Sequence, residues 1–125
     1  MHRLSETITK GLVRSCHDCS EGGLAVAAAE MALAGGIGME LDLRKMPYSG
    51  EKKDYKMLFS ESNSRFLVEV SRKNKKRFMA LMSGAAKIGE TVTTDILDIK
   101  GLRGNNVVHS RITDLKEAWQ RTLKW

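Results

Sequence analysis

The 125-residue chain carries 21 basic and 15 acidic residues for a net charge of +6, with 42% hydrophobic residues and a single proline. That length holds one domain with a real core and leaves no room for a two-domain enzyme. No apolar run approaches the ~18 residues a membrane span needs, since Glu30 interrupts the best one, and MHRLSETITK lacks an apolar signal core, so the expected setting is cytoplasmic with no membrane partner.

In chain order, Leu4 to Lys10 reads as a short leading helix broken by Gly11, and Leu12 to Asp18 as a first strand. Leu24 to Leu33 is apolar almost all the way round, with Glu30 as its one charge, which predicts a helix covered on more than one side. Its small side chains, Ala25, Ala27, Ala28, Ala29 and Ala32, let other elements approach closely. One sheet cannot cover that circumference, so a homodimer through the leftover face is expected. Gly35 and Gly36 end the helix with a left-handed cap.

Ile37 to Leu43 alternates apolar and polar with period two, a half-buried strand. Arg44 to Asp54 is a surface loop, Tyr55 to Phe59 a helical turn, and Ser60 to Asn63 a polar loop. Arg65 to Val70 reads as a strand and Lys73 to Met82 as a helix. Three short strands follow, at Lys87 to Val92, Asp95 to Lys100 and Asn106 to Ser110. The final helix starts near Thr113, capped by Thr113 or Asp114. A helix between strands followed by a run of strands predicts an α+β fold, a layered mixed β-sheet covered by helices.

Much of the positive charge sits in Arg72-Lys73-Asn74-Lys75-Lys76-Arg77, followed by Phe78, Leu81 and Met82 at helical spacing. Clustered cations bind nucleic-acid phosphates, but they equally form the solvated face of an amphipathic helix. With no interleaved aromatics or groove-reading element, no nucleic-acid partner is expected. Cys16 and Cys19 form the only C-x-x-C. Zinc would need two further ligands, which His2 and His109 do not supply as a pair, so the chain is expected to hold no metal and two reduced thiols. In a regular strand the two would face opposite ways.

Two polar stretches carry the chemistry. His17-Asp18-Cys19-Ser20-Glu21-Gly22-Gly23 lies where a strand turns into the apolar helix. The glycines let backbone approach a ligand, and the N–H groups of a helix start favour an anion. The same residues also suit a tight turn with a side-chain cap. The second stretch, Ser60-Glu61-Ser62-Asn63, offers hydroxyls, a carboxylate and an amide. There is neither a P-loop nor a G-x-G-x-x-G, and Gly35-Gly36-Ile37-Gly38 follows a helix instead of preceding one, the wrong polarity for a phosphate loop. Asp18, Ser20, Gly22, Gly23, Glu61, Ser62 and Asn63 are the candidate ligand-binding residues, and none is assigned a catalytic role.

Three ordered motifs, HDCSEGGLAVAAAEM from His17, AGGIGMELDL from Ala34 and LFSESNSRF from Leu58, resemble the C-terminal domain of the phosphoribosylformylglycinamidine synthase family. The resemblance runs from about Leu12 to the closing Asp114–Trp119 stretch. Related domains occur in aminoimidazole ribonucleotide synthetase and in selenophosphate and thiamine-phosphate kinases. It implies a fold like the second domain of aminoimidazole ribonucleotide synthetase, and a place in purine biosynthesis. The family's reaction turns formylglycinamide ribonucleotide, ATP and ammonia into the amidine.

The resemblance also implies limits. In that family ATP and Mg²⁺ are held mainly by N-terminal-type domains that this chain lacks, and the catalytic histidine lies there too, so His17 does not inherit that role. The SES-type loop of the family's first half ends in Gln and contacts the ribonucleotide; here Asn63 stands in its place. The HDCSEGG wording matches the second half, whose pseudo-symmetric cleft holds a structural nucleotide in some relatives. Expected partners are the remaining synthase domains and the glutaminase subunit or domain. The alternative is a free-standing interaction domain, or split-gene subunit, that binds a phosphorylated ligand unaided.

Overall fold

The computed structural model describes residues 2–123, with no account of the side chains at 2–3, 62–64 and 119–123. Helix α1 (His2–Thr9) buries Leu4 and Thr7, whose hydroxyl donates to the Leu4 carbonyl at 2.7 Å, and turns Glu6 and Lys10 outward as an ion pair. Strand β1 (Ser15–Cys19) runs into α2 (Gly23–Gly35), then β2 (Gly38–Asp42) and a single 3₁₀ turn at Leu43–Lys45. After a loop come α3 (Asp54–Phe59), β3 (Ser62–Glu69), a second 3₁₀ turn and α4 (Lys75–Leu81). Strands β4 (Gly89–Val92), β5 (Ile96–Lys100) and β6 (Asn106–Arg111) precede the last helix, α5 (Ile112–Leu123).

The fold is α+β, with its strands divided between two sheets. β4-β2-β5-β6 is a mixed four-stranded sheet in which β2 and β5 run parallel, and β1 pairs only with β3, antiparallel. Period two in β2 buries Met39 and Leu41 and exposes Glu40, as its sequence predicts. Leu97 and Ile99 do the same for β5, which has neighbours on both edges and supplies the centre of the core.

Helix α2 joins the two sheets. It lies on β1, touches β3, β2 and β5, and is flanked by α3 and α5. Ala27, Ala28 and Ala32 are fully enclosed, because only a methyl fits where three elements converge. Ala25, Ala29 and Leu33 pack partly against the same core. The helix ends as expected: Gly36 has φ +65° and its N–H donates to the Ala32 carbonyl at 2.8 Å.

Three expectations shift. The first strand begins at Ser15, not Leu12, because Leu12 is drawn into the core beside α1 and pairing with β3 starts at Ser15–Glu69. The second polar stretch is not all loop: the backbone from Ser62 is already strand, paired to Cys19 across a bulge that follows Asp18. That bulge also interrupts the alternation that would have set Cys16 and Cys19 on opposite faces. Finally, the helix expected from Lys73 opens as a 3₁₀ turn over Arg72–Asn74 and turns α-helical at Lys75.

Candidate functional site

The bulge after Asp18 ends regular pairing and starts a tight turn. The Asp18 carboxylate accepts from the Ser20 N–H at 3.2 Å and from the Ser20 hydroxyl at 2.6 Å. Those two donors, the hydroxyl foremost, hold the Asp18 carboxyl below the ordinary carboxylate range. Gly22 and Gly23 then take φ of +78° and +74°, a conformation open to glycine at little cost. A Cβ on Gly23 would lie 2.7 Å from the Leu58 carbonyl oxygen and 2.9 Å from the Phe59 Cα, so this glycine lets α2 start directly against the end of α3.

Helix α2 has no side-chain cap from its N-cap residue, Gly22. Instead the carboxylate of Glu61 reaches across from the chain entering β3 and accepts from the Gly22 N–H at 3.3 Å. The two polar stretches, 39 residues apart in sequence, are thus latched together at the α2 N-terminus. The structure brings Asp18, Ser20, Gly22, Gly23 and Glu61 together at this turn. Of Ser62 and Asn63 only the backbone is described, and their side-chain positions lie outside the described residues.

Both thiols sit above their ordinary range, chiefly through burial, with the Asp18 charge adding to the effect. Cys19 is fully enclosed, and neither cysteine is in a disulfide. Burial thus favours the protonated form of both thiols. Among the described residues no three His, Cys, Asp or Glu side chains converge in a way that would hold a metal ion.

Sequence reasoning missed three residues. Tyr55 and Phe59, one turn apart on α3, are more than half exposed, and the Phe59 backbone abuts Gly23. Arg65, read only as part of a strand, places its guanidinium 5.3 Å from the centre of the Tyr48 ring, with Nη1 buried and without an acceptor. Its signal was a cation beside an otherwise apolar strand segment, Phe66-Leu67-Val68.

The chain is thus an α+β domain in which a diglycine turn is latched to a second polar stretch. Residues 1–101 match the family model described as AIR synthase related protein, C-terminal domain, and the chain belongs to that family. It is 38% identical over 108 residues to phosphoribosylformylglycinamidine synthase subunit PurL of Thermococcus sibiricus, an alignment covering 86% of this chain and 15% of the relative. It superposes on T. maritima PurL complexed with ATP at a TM-score of 0.80 and 21% identity, over 91% of this chain and 20% of that one. E. coli HypE, a hydrogenase maturation protein, matches at a TM-score of 0.71 and 19% identity, over 88% of this chain and 39% of HypE. The chain thus spans only 15% of the curated relative's length.

Proposed function

We infer that this chain is the C-terminal-type domain of a phosphoribosylformylglycinamidine synthase, acting in purine biosynthesis in the cytoplasm. It builds one wall of the ATP-dependent synthase and does not turn over substrate by itself. The observation that carries this is the bond from the Gly22 N–H to Glu61, which ties together two of the three motifs that carry the resemblance. In support, relatives of this sequence are synthase subunits, and solved synthase chains of this fold have been found with ATP and with FGAR.

In this reading, Asp18, Ser20, Gly22, Gly23, Glu61, Ser62 and Asn63 form the rim of a ligand-facing surface. The start of α2, which has no side-chain cap from Gly22, directs N–H groups toward an anionic group. ATP and Mg²⁺ are held by the synthase's other domains, because a triphosphate and its metal need several carboxylates fixed around them. Exposed Tyr55 and Phe59 give those domains an apolar surface to cover. The other partner is a glutaminase subunit that supplies ammonia, in keeping with a solved assembly, PurLQS from Thermotoga maritima. Without those domains, two copies pair through the half-buried alanine face of α2.

The test measures ADP release dependent on formylglycinamide ribonucleotide and ammonia. The chain alone gives none, and mixing it with the remaining synthase domains restores release. Turnover by the chain alone, or no gain on mixing with domains that it binds, would sink this reading.

A further inference from the structure

A groove of about 790 Å³, which reaches Cys19 and Leu24 on either side of the diglycine turn, is walled by residues of two strands. One wall is the unbroken run 65–71 along β3, and the other is 86–91, leading into and along β4. Each strand pairs on one side only, β3 with β1 and β4 with β2. Among the described residues no backbone hydrogen bond joins the two. Two rows of unpaired N–H and C=O groups therefore border one space, the arrangement that invites an added strand.

The rest of the lining fits such an occupant. Met31 and Met39 line the groove from α2 and β2, and Phe78, Met79 and Met82 from α4 and the residue after it, so an inserted strand meets apolar surface. Methionine-rich walls adapt to varied side chains. Arg65 lines the same space with its unpaired, buried Nη1, and Arg14, Arg72, Lys75 and Lys87 add positive charge around it. The two carboxylates there are already engaged: Glu69 accepts from Ser15 at 3.0 Å, and Glu90 pairs with Lys87 at 2.7 Å. A second copy of this chain, at net charge +6, would bring cations to cations.

We propose that this groove binds an extended peptide segment, apolar in its middle and acidic at its ends, as an added strand that joins the two sheets into one. The backbone edges of β3 and β4 supply hydrogen bonds on both sides, and Arg65 takes one of the acidic side chains. The proposal rests on these edges and is independent of the ligand-facing turn.

The probe is a capped octapeptide of four valines flanked on each side by two glutamates, added to the whole chain and followed by amide hydrogen exchange. The expected result is protection of amides along both β3 and β4. The same peptide with N-methylated valines gives none, because it cannot pair. The lysine-flanked peptide binds at least about tenfold more weakly, and Arg65→Gln weakens the glutamate peptide by about tenfold. Absence of protection, protection at one edge only, equal binding of the N-methylated or lysine peptide, or edges already protected by self-association would each overturn the proposal. The N-methylated control uses the unaltered chain, so it decides the matter even where Arg65→Gln fails to fold.

Discussion

Gly23 and Gly36 both sit at positive φ, yet they do different work. A side chain at Gly36 meets nothing within 4 Å, so only the left-handed backbone opposes it. At Gly23 the backbone of Leu58 and Phe59 stands inside 3 Å and cannot swing away as a side chain could. Gly36→Ala should therefore cost about 1 kcal/mol and Gly23→Val about 3 kcal/mol or more, roughly 10 °C in melting temperature. Equal melting shifts for the two would show that contact with α3 does not matter.

Asp42 offers a residue-scale test of pH dependence. Hydrogen bonds from the Arg44 guanidinium at 3.0 and 2.8 Å lower its pKa from 3.8 to about 2, with the Arg44 N–H adding to the effect. The folded state thus holds this proton less tightly than the unfolded chain does. The stabilisation is complete above 3.8 and is lost as pH falls toward about 2. Asp42→Asn should flatten that part of the acid limb, and the wild-type carboxyl should titrate near the lower value by NMR. A midpoint near 3.8 would mean that water screens the pair.

At the scale of elements, regular patterns were legible and exceptions were not. Met39, Glu40 and Leu41 announce β2 by alternation, and the apolar run from Leu24 announces α2, because burial imposes those periods. The polar residues of Ser62–Ser64 concealed the start of β3, since their pairing with β1 depends on a partner more than forty residues away and on a bulge. The candidate site was legible as two motifs, while the Glu61–Gly22 latch joining them was not, because it arises only when α2 and α3 pack. Helix α2 was expected to leave apolar surface over. Flanking by α3 and α5 covers most of it and leaves the half-buried Ala25, Ala29 and Leu33 as the face available for pairing. Ala29→Glu should convert a dimer to a folded monomer in sedimentation, because an unpaired carboxylate is costly to bury. A wild-type monomer at high concentration would remove the dimer from consideration.

At the scale of the molecule, the division into two sheets decides how the chain comes apart. A two-stranded sheet is marginal by itself in water. β1 and β3 are held by α2 and by enclosed side chains such as Cys19, and among the described residues the outer edge of each has no strand beside it. β2 and β5 are central strands, each paired on both edges, with Leu97 and Ile99 at the middle of the core. Openings that release β1 and β3 therefore need to uncover less apolar surface than openings that release β2 and β5. Native-state hydrogen exchange should show β1–β3 amides exchanging through openings lower by on the order of 1–2 kcal/mol than those of β2 and β5. The diglycine turn and Glu61 lie at the end of β1 and the start of β3, so the proposed ligand-facing surface would open with this pair of strands. Matching opening free energies in both sheets would instead make α2 a rigid bridge and the domain a single cooperative unit, with the turn fixed before any partner arrives.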